Sequence, residues 1–240
     1  MKVLLIIPSY NEEKNVRHVY ESICSFNMTS GQKYSYVFIN DGSKDNTECE
    51  LKIYAANHIT LVQNLGIGGA VQTGYKYAYE NGYDIAIQMD GDGQHDINCV
   101  KNIIEPIVNN QADLVIGSRF VEKASSEFQS SFLRRLGIKM ISLAIKLKTG
   151  KRIYDITSGF RAVNRKLIEE FATDYPTEYP EPISSTFALL SGYKICEVPV
   201  AMHERVSGVS SIRAWKNVYY MINVVLSILL LRGKKRMPHD

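Results

Sequence analysis

The sequence predicts an α/β fold, a mostly parallel central sheet with helices on both faces, followed by an apolar C-terminal helix. Three observations carry this. Short β-rich runs alternate with helical patterns through the first half, the arrangement of βαβ units. The opening run Val3-Leu4-Leu5-Ile6-Ile7 is wholly apolar and reads as a buried first strand. Polar motifs carrying Asp, Asn, Ser or Gly stand at the ends of four consecutive runs, the edge where parallel sheets bind ligands.

In chain order, strands are expected at residues 3–7, 36–40, 59–63, 84–89 and 113–117, with helices at 13–26, 45–55, 69–80 and 97–108 between them. Asn81-Gly82 supplies a helix stop and Asp96 an N-cap. Further on, a basic helix over 132–148 ends at Gly150. A short strand at 158–163 and a helix from Asn164 follow. Residues 175–182, with three prolines and two glutamates, are expected to be loop. A strand over 194–202 and a Gly/Ser turn lead to a last helix from about Ser211. No linker separates a second domain, so residues 1–210 form one domain and 211–240 an apolar helix with a basic tail.

Composition narrows the class. At 240 residues the chain can bury a full core, and 45% hydrophobic with 22% charged residues is ordinary for a globular protein. A net charge of +3 is too small to argue for nucleic acid. Cys24, Cys49, Cys99 and Cys196 form no C-x-x-C pair, which indicates neither zinc nor a disulfide framework and suits a reduced cytosol. The first apolar run is too short for a signal peptide, and Pro8, Asn11, Glu12 and Glu13 cut it off.

Met89-Asp90-Gly91-Asp92-Gly93-Gln94-His95 is the motif richest in chemistry. In extended backbone Asp90 and Asp92 share a face, because side chains alternate with period two. Gly91 and Gly93 remove bulk, so a diphosphate can approach the backbone. Mg²⁺ or Mn²⁺ held by one or two carboxylates, with water and phosphate completing its shell, suits that geometry. An EF-hand is excluded: its sixth and twelfth positions need Gly and Glu, and this chain has His95 and Lys101 there. Pro8-Ser9-Tyr10-Asn11-Glu12-Glu13 ends the first strand and Asn40-Asp41-Gly42-Ser43-Lys44-Asp45 the second. Asn64-Leu65-Gly66-Ile67-Gly68-Gly69 ends the third; Val71 at the final position breaks the dinucleotide fingerprint G-x-G-x-x-G.

This ordered set closely resembles family 2 glycosyltransferases of the GT-A fold, a Rossmann-like nucleotide-sugar-binding architecture. The likeness is nearest to small polyprenyl-phosphate sugar transferases such as dolichyl-phosphate mannose synthase-like enzymes. The resemblance implies that Pro8, Tyr10 and Glu12 contact base and ribose, that Asp41 contacts the base, and that Gly68 and Gly91 admit the nucleotide sugar. It implies that Asp90, Asp92 and Gln94 lie around metal and diphosphate. Gly117-Ser118-Arg119 and Ser158-Gly159-Phe160-Arg161 match motifs that face the acceptor. Arg205 belongs to a segment resembling one that closes over the phosphates, although Ser211 stands where the family usually has lysine.

The implied activity is inverting transfer from a UDP-, GDP- or dTDP-linked sugar. Asp92, Arg119, Asp155 and Arg205 are the catalytic candidates. A polyprenyl phosphate acceptor, already anionic, needs arginines to position it, and Arg119, Arg134 and Arg135 are available. A glycan hydroxyl needs a general base, for which Asp155, Glu178 and Glu181 are the carboxylates at hand. Ser158 and Arg161 complete the acceptor candidates. The apolar run 219–231 falls short of the ~20 residues that span a bilayer. With Trp215, Tyr219 and Tyr220 at one end and Arg232, Lys234, Lys235 and Arg236 at the other, it suits the membrane interface or a homodimer contact. The expected location is the cytoplasm, peripheral on the inner membrane face. Two other readings are a sugar-phosphate nucleotidyltransferase, which would need a glycine-rich basic loop where Pro8–Glu13 stands, and a non-catalytic nucleotide-sugar binder, for which an intact carboxylate pair serves no purpose.

Overall fold

The computed structural model describes residues 1–121, 132–202 and 214–234, with backbone only for 132–136 and 214–219. Among the described residues the strands are β1 (Val3–Ser9), β2 (Ser35–Asn40), β3 (His58–Thr60), β4 (Ile85–Gln88), β5 (Leu114–Ser118), β6 (Arg161–Asn164) and β7 (Ile195–Pro199). They form one sheet in the order β3-β2-β1-β4-β6-β5-β7. Every pairing is parallel except those of β6, which runs antiparallel to both β4 and β5.

The opening apolar run is continuous because β1 is covered on both faces, with all seven of its residues buried. Leu4 and Ile6 join Val37, Ile39, Ala86 and Leu114 on one face; Val3, Leu5 and Ile7 join Phe38, Ile85, Ile87 and Val115 on the other. This is the period of two expected of a strand. The first face is packed by α3 (Gly66–Glu80), α5 (Phe132–Thr149), α6 (Arg165–Thr173), α7 (Pro180–Leu190) and α8 (Ala214–Leu230). The second is packed by α1 (Val16–Thr29), α2 (Thr47–Ile53) and α4 (Val100–Val108). α8 contributes Val224 and Ile228 to the first core.

Several elements differ from expectation. Residues 175–182 are not all loop: α7 begins at Pro180. Pro180 and Pro182 sit in the first turn, where no intrahelical N–H is required and a fixed φ favours the helix. Tyr179 enters α7 in the left-handed region at φ 52°. Residues 13–15 stay outside α1, because the Glu13 carboxylate accepts the Asn46 N–H (3.0 Å). Residues 97–108 divide into a 3-10 turn (Ile97–Cys99), capped by Asp96, and α4. Asn164 caps α6, its Oδ1 accepting the Leu167 N–H (3.1 Å).

Candidate active site

The turns after β1 and β2 are locked together by side chains bonding to each other's backbone. Ser43 Oγ accepts the Asn11 N–H (3.0 Å), and Asn11 Oδ1 accepts the Lys44 N–H (2.8 Å). Thr47 Oγ1 accepts the Glu12 N–H (2.8 Å), and Asp45 Oδ2 accepts that of Glu13 (3.2 Å). Asn11 tolerates the positive φ of 56° this needs, as short polar side chains do. Both motifs are therefore rigid where they meet. Asp41, buried between them, accepts the Leu65 N–H through Oδ1 (2.7 Å) and so fixes the start of α3. Burial pushes the Asp41 carboxyl above its ordinary value, opposed by the Leu65 and Gly66 amides.

The carboxylate pair follows β4. Because β6 runs antiparallel, its entry loop arrives at the same edge at which β4 ends, and Gln88 pairs with Arg161. That brings Gly159 against Asp90: a Cβ on Gly159 would lie 2.6 Å from both Asp90 carboxylate oxygens. From the other side His95 Nε2 lies 3.1 Å from Asp90 Oδ2, with the imidazole stacked on Phe160 at 4.9 Å. Asp92 is buried, its Oδ1 accepting the Gln94 N–H (3.1 Å). Gly91 lies so close to Pro8 O and Ser9 Oγ that a Cβ would come within 2.8 Å of each.

These elements enclose a cleft of about 490 Å³. Pro8, Tyr10, Glu12, Asp41, Asp90, Gly91 and Asp92 line it. Ser9, Asn64, Ile67, Thr157 and Gly159 also line it, as does Glu181 from the first turn of α7. Burial pushes the Glu181 carboxyl up; Arg161 opposes this and Asp90 adds to it.

Other sequence candidates lie elsewhere. Gly68 is not in the lining: a Cβ there would sit 2.4 Å from Pro176 O, so this glycine admits the 176–177 backbone rather than a nucleotide. Arg161 is fully buried and does not face an acceptor. Its guanidinium donates to the carbonyls of Ser158 (2.6 Å), Glu181 (2.8 Å) and Ile156 (2.8 Å) and to Ser185 Oγ (2.8 Å), tying the β6 entry loop to α7. Ser158 is buried too, its Oγ accepting the Phe160 N–H. Asp155 has no exposed surface; its oxygens accept from Arg119 Nε (2.8 Å), Nη2 (2.7 Å) and the Arg119 N–H (2.9 Å), while Glu197 accepts the Tyr154 and Asp155 amides. That geometry suits Asp155 for orienting Arg119, not for taking a proton. Glu178 is exposed and outside the lining. Arg205 and the side chains of Arg134 and Arg135 lie outside the described residues. Asn64 and His95 stand in the strand-end motifs without a role assigned from sequence, and Thr157 has no sequence signal.

A parallel sheet broken by one antiparallel strand, with interlocked turns and paired carboxylates around one cleft, defines a GT-A-type nucleotide-sugar domain. The chain belongs to the glycosyl transferase family 2, whose sequence model matches residues 4–171. It is 33% identical over 221 residues to a UDP-N-acetylglucosamine–dolichyl-phosphate N-acetylglucosaminyltransferase of Methanococcus voltae, covering 82% of this chain and 84% of that one. It is 30% identical to a polyprenol monophosphomannose synthase of Mycolicibacterium smegmatis, covering 87% and 80%. The fold resembles that of glucosyl-3-phosphoglycerate synthase from Mycobacterium tuberculosis, crystallised with Mn²⁺, UDP-glucose and phosphoglyceric acid. That match has a TM-score of 0.67 at 19% identity, covering 95% of this chain and 78% of that one. The protein is a family 2 glycosyltransferase, similar in sequence to transferases named for polyprenyl-phosphate acceptors.

Proposed function

We propose that the protein transfers a sugar, with inversion, from a nucleoside-diphosphate donor to a polyprenyl phosphate at the cytosolic membrane face. The observation that carries the donor half is the common lining: Pro8, Tyr10, Asp41, Asp90, Gly91 and Asp92 open onto one cleft. The two interlocked turns hold the nucleoside, while Gly91, which lacks a Cβ where Pro8 O and Ser9 Oγ approach, seats the carboxylate turn against the end of β1 rather than making room for a diphosphate.

A divalent cation fits this site. Among the described residues no three His, Cys, Asp or Glu side chains converge as a closed metal cage. Asp90 and Asp92 would supply hard oxygen ligands, with diphosphate and water left to complete the shell, a donor set that suits Mg²⁺ or Mn²⁺. Bound there, the ion supplies Lewis-acid stabilisation of charge on the leaving diphosphate. Gly159 and His95 fix the orientation of Asp90. Gln94 and Arg205 remain proposed diphosphate partners, and Arg134 and Arg135 proposed acceptor contacts.

In the reaction an acceptor phosphate oxygen attacks the anomeric carbon opposite the leaving group. The new C–O bond forms as the old one breaks, and the electron pair departs on the nucleoside diphosphate. No base is required. Of the three carboxylates that could serve a hydroxyl acceptor, Asp155 is occupied by Arg119 and Glu178 faces solvent, which leaves Glu181 in the cleft lining. The choice of an anionic acceptor is supported by the named activities of the relatives. The test incubates the protein with UDP-, GDP- and dTDP-sugars and Mn²⁺ or Mg²⁺, with and without polyprenyl phosphate, and identifies products by mass. A glycosylated lipid phosphate is expected from one donor class; transfer only to a glycan hydroxyl would overturn the acceptor assignment.

A further inference from the structure

Among the described residues the cleft lining holds the carboxylates Glu12, Asp41, Asp90, Asp92 and Glu181. The first two belong to the nucleoside turns and the next two to the metal, but Glu181 has no part in the transfer step. Its placement is nonetheless elaborate. Tyr179, just ahead of it, holds φ 52° and ψ 50°, a left-handed conformation that bulky side chains seldom adopt and that persists only where the surroundings impose it. Tyr220 of α8 meets the Tyr179 ring edge-on, with centroids 4.7 Å apart. Arg161 Nη1 donates to the Glu181 carbonyl (2.8 Å), and Gln88 Nε2 to its Oε1 (3.4 Å). Gln88 Oε1 itself is buried without a hydrogen-bond partner. A strained turn, a buried guanidinium and an amide with its own oxygen left unpaired converge on this one side chain, a pattern that calls for a functional reason.

What Glu181 can bind follows from its charge and its neighbours. It stands near enough to Asp90 for the two charges to interact. In a cleft that holds a nucleotide sugar, that is the end where sugar joins diphosphate. A carboxylate repels phosphate, so neither the donor's diphosphate nor a lipid phosphate is its ligand. Among the described residues no three acidic, His or Cys side chains converge on a cation site, so Glu181 is not a third metal ligand beside Asp90 and Asp92. An ionised carboxylate only accepts hydrogen bonds, and what remains for it is a neutral donor. A polyprenyl phosphate offers none, whereas the sugar carries a ring of hydroxyls.

We propose that Glu181 is a specificity residue for the donor, its carboxylate accepting a hydrogen bond from a hydroxyl of the transferred sugar and so selecting which sugar the cleft admits. This rests on the nucleotide-sugar reading of the cleft. Calorimetric titrations with Mn²⁺ compare wild type, Glu181→Ala and Glu181→Gln on UDP-glucose, UDP-N-acetylglucosamine, GDP-mannose and dTDP-glucose, each beside its free diphosphate. Glu181→Ala should bind the preferred nucleotide sugar at least ~10-fold more weakly and the free diphosphate as wild type does. Glu181→Gln keeps an acceptor oxygen and should recover most of the loss. Should the alanine variant lose stability, donors lacking single sugar hydroxyls decide: one of them should lose ~10-fold in affinity for wild type and less for Glu181→Gln. Equal weakening of nucleotide sugar and free diphosphate would overturn the proposal. So would unchanged donor binding with turnover down ~10²–10⁴-fold in Glu181→Gln, the mark of a general base for a hydroxyl acceptor. Wild type that binds none of the free diphosphates would sink the donor reading and this assignment with it.

Discussion

Replacing Gly159 by alanine tests the metal site without touching a proposed ligand. The added Cβ would lie 2.6 Å from both carboxylate oxygens of Asp90, about 0.8 Å short of the 3.4 Å at which ordinary contact begins. Gly159 has no positive φ, so its backbone accepts alanine, and Asp90 is the end of a side chain that can turn aside. The strain should therefore be relieved by moving the carboxylate, which also breaks its contact with His95 Nε2. A misplacement approaching 1 Å at a reacting centre costs ~10²-fold in rate, equivalent to ~2.7 kcal/mol. The stability cost of such a shift is ~1 kcal/mol, or ~2–4 °C in melting temperature for a chain of this size. Steady-state kinetics at saturating donor, Mn²⁺ titration by electron paramagnetic resonance and thermal unfolding read the three quantities separately. A variant with wild-type kcat and wild-type Mn²⁺ affinity would refute the claim that Gly159 holds Asp90 in place for metal and diphosphate.

Other outcomes follow from the same geometry. Asp92→Ala, or chelator in excess, should abolish transfer while circular dichroism stays unchanged; activity restored by Mn²⁺ in the chelated wild type but not in the variant would tie the loss to Asp92. Asp41→Asn keeps the acceptor for the Leu65 N–H but removes a buried charge, so donor KM should rise ~10-fold with little change in kcat. The Asp41 carboxyl is raised above 3.8, so the stability linked to its proton is present at low pH and lost as pH rises through the raised value. Asp41→Asn should therefore melt higher than wild type at neutral pH, with the gap closing below about pH 4. Arg161→Lys forfeits several charge-assisted bonds in the interior and should cost at least ~3 kcal/mol, a fall of ~6 °C or more by calorimetry.

The donor side of the fold was legible because its signals are local. Apolar runs, glycine stops and turn motifs lie within a few residues of one another, and they placed β1, β2, β4, α3 and the shared cleft edge. α7 was missed because Pro176, Pro180 and Pro182 were read as loop formers, although a proline at the first helical position starts a helix as readily as it ends one. The position of β6 between β4 and β5 depends on pairing across more than seventy residues of sequence, which no local pattern encodes. Gly68 and Arg161 teach a narrower lesson. Both sit in motifs that belong to the site, but one makes room for a loop and the other ties the β6 entry loop to α7. A motif marks a position as constrained and is silent on whether ligand or backbone constrains it. For His95 the motif shows only its place beside the carboxylates; its contact with Asp90 depends on Phe160, distant in sequence, which stacks on the ring.

The reversed strand also orders events in time. β1, β2 and β3 form a parallel ladder from the shortest-range pairings of the sheet, Leu4 with Ser35 and Phe38 with His58, the kind that closes early in folding. β4 reaches β1, Val3 with Ile85, from the far end of α3. The outer edge of β4 then waits, because its partner is not β5, made next, but β6, which begins at Arg161. Until that strand returns, a buried apolar edge stands open as a template for another chain, the hazard of a partly made sheet. When it does return, the same zippering step seats Gly159 and Phe160 around Asp90 and His95. The interlocked turns after β1 and β2 are thus set before the carboxylate, which acquires its final bearing only in the closing move.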